Sequence, residues 1–416
     1  MIKIAVRVFG KRFLLGSGFV MTASLVSYIF FVFNDIILFS LGGLFITKVF
    51  FLILFLSSFR FNLDFKFLAY LFFLLSVVAL YIGVSLLTYS YNNFSIQQAV
   101  KFIITFLFPL LGAFYLKRYP ENLLLVTKAV LFSAFFASLW KFFFILCFYF
   151  APDFVAMVFP NINARLIGGK VVALNTGNQL LVLLAALLTL TLFCLRNFWW
   201  RDKTQKLACR DSGNKYILLY IVFFINTLLS GSVFFIIITL ASSLMVLFVM
   251  SRLSVKALWA FLSPLAVISL FFLFEYTVDV RGEGFERGVQ ARIYQLKMLG
   301  IEVLHDPFLG KGFGYFISDY VRNNSSPYLY EVQFFSLIMH YGLLGILIIA
   351  VLLCGIYMVY GKTASFFVFS SLVMLVVLSS FFNPYMFGTY AGLAYLIILL
   401  TSIYYGKYKK DEVLNT

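Results

Sequence analysis

Six cations and six acids crowd into residues 276–330: Arg281, Arg287, Arg292, Lys297, Lys311 and Arg322 against Asp279, Glu283, Glu286, Glu302, Asp306 and Asp319. Arginine presents a planar fork of donors that matches phosphate oxygens, so several converging on one cavity would hold a lipid-linked diphosphate. The candidates for that task are Arg281, Arg287, Arg292 and Lys311, together with Arg165 from a second polar segment at 151–173. The plainer reading of each is pairing with Glu283, Glu286 or Glu302, or with phospholipid head groups. Glu331 follows Tyr328-Leu329-Tyr330 and opens a long apolar run. There it is either a general base at the mouth of a helix bundle or a carboxylate that steadies a helix N-terminus.

Only two histidines are present. His305, before Asp306-Pro307, could exchange protons near neutral pH, or be merely solvated. His340 lies nine residues past Glu331, about 13 Å along a helix at ~1.5 Å per residue. It points to nearly the opposite side, which suits helix packing better than a shared catalytic pair. Gly310-Lys311-Gly312-Phe313-Gly314 is similar to phosphate-binding glycine loops in composition. Without a strand before it and a helix after it, tight turning is the better account.

The elements that must position these residues are written in the composition. Of 416 residues, 63% are hydrophobic, 20% aromatic and 12% charged, and the mean hydropathy is +1.01. A water-soluble domain cannot hide so much apolar surface, so most of this chain is solvated by a bilayer. Twelve apolar runs are long enough to be spans: 13–31, 36–58, 67–88, 99–116, 122–150, 174–195, 216–231, 232–250, 257–275, 331–359, 363–381 and 387–405. The division at Ser230-Gly231-Ser232 requires two helices to turn tightly. The chain then divides into 1–275 with nine spans, an outer loop at 276–330, and 331–416 with three spans and a tail. Within the loop, Val289, Ile293, Leu296, Leu299 and Val303 recur at helical spacing. They predict an amphipathic helix over 285–304 with its apolar side against the bundle or the membrane surface, ended by Pro307 and the glycine run.

The net charge of +16 would suggest nucleic acid in a soluble protein; here it fits the lysine and arginine excess that orients membrane helices. Lys3, Arg7, Lys11, Arg12, Arg60, Lys66, Lys117 and Arg118 fall on one side with the N-terminus. So do Arg196, Arg201, Lys203, Lys206, Arg210, Lys215, Arg252, Lys256, Lys362, Lys407, Lys409 and Lys410. Both ends are therefore expected in the cytoplasm and the long loop outside. Lys48 and Lys141 lie deep in spans and need a partner or a wet cavity; Lys101 and Lys128 can snorkel. Cys147, Cys194, Cys209 and Cys354 lack metal-ligand spacing and imply no disulfide framework. The first apolar run, without a clear cleavage site, reads as a retained helix.

Two stretches resemble the O-antigen polymerase and O-antigen ligase superfamily of bacterial envelope glycosyltransferases. One runs from Arg165-Leu-Ile-Gly-Gly to Asn175-Thr-Gly-Asn178. The other runs from Ala291-Arg292 through His305-Asp306-Pro307-Phe308-Leu309 into the glycine run, before a helix with Gly342-Leu-Leu-Gly345. Ligases of the superfamily carry a His-Asn pair before the helix that follows the loop. Here that region reads Tyr330-Glu331-Val332-Gln333, which favours a polymerase with Glu331 as substitute base.

The resemblance implies an all-α polytopic protein of the bacterial inner membrane, with one large periplasmic loop. It would be a transferase needing neither metal nor cofactor. It would move a growing glycan from undecaprenyl diphosphate to a lipid-linked repeat unit, with membrane lipid and a chain-length regulator as further partners and no nucleic acid. Arg165 and Arg292, helped by Arg281 or Lys311, would bind the diphosphate, and Glu331, or failing it His305, would serve as base. The alternatives are a ligase that delivers glycan to lipid A-core, and a flippase for lipid-linked oligosaccharides. A flippase would account for Lys48 and Lys141, but it needs no long arginine-rich outer loop.

Overall fold

The computed structural model describes residues 5–8, 11–14, 17–34, 43–58, 64–88, 90–153, 164–167, 171–174, 178–195, 214–230, 232–250, 283–321, 327–361, 363–381 and 386–413. Side chains at 5–14, 17, 43–45, 164–174, 214, 233–234, 248–250, 283–287 and 408–413 fall outside the description. Within these residues lie twelve helices: α1 (Ser17–Phe33), α2 (Gly43–Ser58), α3 (Phe65–Leu87), α4 (Asn93–Arg118), α5 (Leu123–Phe150), α6 (Gln179–Cys194), α7 (Asn214–Leu228), α8 (Val233–Met250), α9 (Glu283–His305), α10 (Gln333–Tyr360), α11 (Phe366–Ser380) and α12 (Thr389–Val413). Among the described residues, five helical stretches are long and apolar enough to cross a membrane: Phe65–Leu87, Asn93–Arg118, Pro120–Phe150, Gln333–Tyr360 and Thr389–Lys407. Six further apolar helices are shorter. This is a helical membrane protein. Eleven of the twelve expected spans coincide with helices, and the remaining one, 257–275, lies outside the described residues.

Two short antiparallel hairpins depart from the all-α expectation. β1 (Ala5–Val8) pairs with β2 (Lys11–Leu14), setting Arg7 opposite Arg12. β3 (Ala164–Ile167) pairs with β4 (Val171–Leu174), setting Arg165 opposite Ala173. Val6 and Val8 flank Arg7 with a period of two, and Ile167, Val171 and Val172 are β-branched; both patterns favour strands. β2 therefore takes the start of the first expected span, and α6 begins at Gln179 rather than near 174.

The chain forms two compact units. One comprises Met1–Ala23, Phe51–Asn122 and Gly284–Leu399; the other comprises Ser24–Phe50, Leu123–Glu283 and Leu400–Thr416. In the second, α5, α6, α7 and α8 pack together. α6 is buried on nearly every side, as expected of a helix that is apolar all round. Lys141 finds its partner here: its ammonium donates to the backbone oxygen of Asn226 at 2.9 Å and to its side-chain oxygen at 3.3 Å. Lys48, by contrast, is exposed, in the second turn of α2.

In the first unit, α3, α4 and α10 pack together and α11 packs on α10. At the level of Tyr341 the core is aromatic. Phe102, Phe313 and Phe387 ring it with centroids 5.5–6.0 Å away, an edge-rich arrangement worth more than its buried area alone. At the far ends of α3 and α4, Lys117 reaches Asp64 at 2.6 Å. That hydrogen bond is the main cause holding the Asp64 carboxyl below its usual range.

α10 is not continuous. Gly342 has φ 63° and ψ −174°, so the helix breaks there. A break inside an apolar helix strands backbone groups that lipid cannot satisfy, and something must meet them. The segment after α9 does so. The amides of Lys311 and Gly312 donate to the carbonyls of Met339 and His340 (both 2.8 Å), and those of Leu343 and Leu344 donate to Pro307 and Phe308 (2.9 and 3.1 Å). Tyr81 donates its hydroxyl to the carbonyl of Tyr341 at 2.7 Å. The loop's own carbonyls are taken up by the turn between α3 and α4. Ser85 and Ser95 donate to Phe313 (3.0 and 2.8 Å), Thr88 and Ser90 to Lys311 (2.9 and 2.7 Å), and Asn92 to Gly314 (3.0 Å). The glycine run is thus a tight turn that also threads between two elements. Gly310, Gly312 and Gly314 all hold left-handed φ values.

Candidate functional site

α9 forms close to the sequence expectation, Glu283–His305 against 285–304, but its inner face differs from the purely apolar set. Leu299 is buried as expected, but Ile293 points outward and is 60% exposed, and Gln295 is buried in its stead. Leu299 joins Ile317, Tyr330, Val332 and Met339 in a cluster, with Leu296 and Val303 packed against it. Gln295 replaces an apolar residue because a backbone group must be met: its side-chain oxygen accepts the amide of Val332 at 2.9 Å.

One turn earlier, on the same face, Arg292 stands beside Glu331, with Nε 3.0 Å from Oε2. The pair is partly buried, 35% and 22% exposed in its side chains. The Arg292 Nε is buried and its N–H is not aimed at the oxygen closely enough to count as a directed hydrogen bond; the contact is an ion pair. Glu331 lies two residues before α10, whose N-cap is Val332 and carries no side-chain cap. Its observed role is therefore the partner of Arg292 rather than the cap of a helix. At Arg292 and Lys311 the described acid partners are Glu331 and Asp306, and the side chains of Glu283 and Glu286 fall outside the described residues.

Lys311 is ion-paired with Asp306, and its ammonium lies 5.9 Å from the centre of the Tyr315 ring. Burial, then a hydrogen bond to Glu302, pushes the Tyr315 hydroxyl well above the ordinary phenol range, so it stays protonated and donates to that carboxylate. Tyr330 accepts the amide of Ile317 at 2.8 Å, and burial raises its hydroxyl to about 12. His340 is buried with its two ring nitrogens against carbonyl oxygens, Ser336 at 2.6 Å and Tyr315 at 2.9 Å. It braces α10 against the loop and has no nitrogen left for substrate.

The two candidate bases are far apart. His305 closes α9 and is exposed. It lies ten residues beyond Gln295, which is about 15 Å along the helix, whereas Glu331 adjoins the residue that Gln295 holds. Lys311, hydrogen-bonded at Met339, belongs to the His305 end. Arg287 lies on α9, but its side chain is outside the description; Arg281 lies outside the described residues altogether. Arg165 is on β3 in the other unit, and its side chain is likewise undescribed. Of the sequence candidates, the structure brings Arg292 to Glu331 and leaves Lys311 and His305 at the other end of the same helix.

Polar residues that sequence reasoning passed over build this region. Gln98 accepts the amide of Gly314 at 2.6 Å and donates to the Tyr341 hydroxyl at 3.1 Å. Tyr328 donates to Gln97 at 2.8 Å, and the Lys101 ammonium sits 5.0 Å over the Tyr328 ring. The available signal was a cluster of amides, Gln97, Gln98 and Gln295, in otherwise apolar helices. Among the described residues no three or more His, Cys, Asp or Glu side chains gather as metal ligands would. Comparison with protein-family models and with curated proteins finds no match for this chain.

Proposed function

We propose that this protein is a membrane-embedded glycosyltransferase that polymerises a surface polysaccharide, transferring a growing glycan from undecaprenyl diphosphate to a lipid-linked repeat unit at the periplasmic face of the bacterial inner membrane. The observation that supports the reading best is the Arg292–Glu331 pair, held on two braced elements beside the start of an apolar helix. Arg292 opens the second stretch that resembles the O-antigen polymerase and ligase superfamily, and Glu331 stands where the chain departs from the ligases' His-Asn pair.

In this mechanism the donor diphosphate draws the Arg292 guanidinium from Glu331. Arginine then neutralises the charge that develops as the bond between the anomeric carbon and the phosphate oxygen breaks. Glu331, released from its partner, accepts the proton of the acceptor hydroxyl as that oxygen bonds to the anomeric carbon. Undecaprenyl diphosphate leaves with the bonding electron pair.

Arg292→Lys is expected to lower polymer formation roughly 10–150-fold, the equivalent of one charge-assisted hydrogen bond of about 1.5–3 kcal/mol. The variant should still insert and accumulate. Full activity would reduce Arg292 to general positive charge. The orientation is checked separately: a reporter fused near Ser326 should be periplasmic and one near Gln205 cytoplasmic. Finding both on one side would overturn the helix count between them and the placement of the site.

A further inference from the structure

α9 has a second apolar face. Opposite the side that carries Gln295 and Leu299, Ile293, Lys297, Ile301 and Leu304 succeed one another at spacings of four, four and three, which places them on one stripe. All are exposed, Leu304 at 81%. The run continues past the helix end with Phe308, 72% exposed, and Leu309. Water is a poor solvent for such a surface, and something apolar must cover it.

Hydrogen bonds fix where this face sits. Pro307 and Phe308 accept the amides of Leu343 and Leu344, so Phe308 and Leu309 stand where the unbroken part of α10, residues 343–360, begins. That part rises about 27 Å, close to the ~30 Å of a hydrocarbon core. The turn between α3 and α4 reaches the same level, through the bonds of Thr88 and Ser90 to Lys311. Leu343, Leu344 and Leu347 at the head of this span are exposed large apolar residues. The exposed apolar residues at the head of α10 therefore begin where Leu309 and Phe308 stand, and the exposed stripe of α9 ends at Leu304 just before them.

We infer that α9 lies in the membrane–water interface of the protein's own bilayer. The stripe from Ile293 to Phe308 enters the head-group and acyl boundary, and Lys297 snorkels to lipid phosphates. The occupant of the face is phospholipid. Arg292, on the other side of the same helix, is thereby held at the depth where a lipid-linked diphosphate would present its charge. The docking rests on the membrane-spanning nature of α10 and not on glycan transfer, so either can fail without the other.

Photo-crosslinking of the full-length protein tests it. A p-benzoylphenylalanine at position 301, 304 or 308, in liposomes of ³²P-labelled phosphatidylethanolamine and phosphatidylglycerol, should give labelled lipid adducts at a yield comparable to position 347. Position 319, at the exposed Asp319, should give none. Positions 304 and 308 are exposed enough to take the probe without disturbing packing, and the adduct at 347 reports that each preparation is inserted. Yields at 304 and 308 matching position 319 would place the face in water. Chain-to-chain adducts there would mean that a second copy covers it. Either result overturns the inference.

Discussion

Replacing Glu331 by glutamine is expected to cut polymer formation by roughly 10²–10⁴-fold, the range for loss of a positioned general base. The substitution keeps the size of the side chain and removes proton acceptance. It also ends the ion pair with Arg292, so the guanidinium no longer has to be drawn from a carboxylate before it meets the donor. Donor affinity should therefore hold or rise while turnover falls. That split separates the base from a merely positioning carboxylate, whose loss would let Arg292 wander and would weaken donor binding first. The measurement is polymer formed at matched protein levels, with binding of undecaprenyl diphosphate assayed on the same preparations. Near-normal polymer would remove Glu331 from the mechanism and turn attention to His305, which stands exposed at the other end of α9.

The sequence carried the helices well and the site only in part, for a physical reason. Apolar runs of membrane length have few alternatives to helix, so segments such as 67–88 and 122–150 read almost directly as α3 and α5. α9 was legible from its 3.6-residue spacing, but its facing was not. Periodicity treats Ile293 and Leu299 as equivalent members of one stripe, whereas the structure turns Ile293 outward and gives the buried position to Gln295. A glutamine becomes favourable there only because the amide of Val332 needs an acceptor, a demand created by tertiary structure. The pairing of Arg292 with Glu331 was hidden likewise: 39 positions separate them in the chain, and nearer acids offered themselves. The hairpins were missed because four-residue strands flanked by cations look, to a hydropathy reading, like the ragged ends of spans.

The glycine run and Gly342 belong to the same lesson, and they carry the second large effect. Gly342→Ala is expected to destabilise the protein by about 2–5 kcal/mol, from left-handed backbone strain of ~1–2 kcal/mol and overpacking of ~1–3 kcal/mol. The added methyl would lie 2.1 Å from the carbonyl oxygen of Phe308. That oxygen is backbone and accepts the amide of Leu344, so it cannot step aside without breaking the bond that satisfies α10 after its kink. A comparison residue isolates the cause. Gly361 also has a left-handed φ, +112°, but nothing stands within 4 Å of the place its methyl would occupy. Gly361→Ala should therefore incur strain alone and melt well above Gly342→Ala when the purified proteins are heated in detergent. Equal melting points for the two would show that the loop yields to the methyl at little cost. The bonds from residues 307–312 to the broken helix would then not be what holds Lys311 and the end of α9 in place.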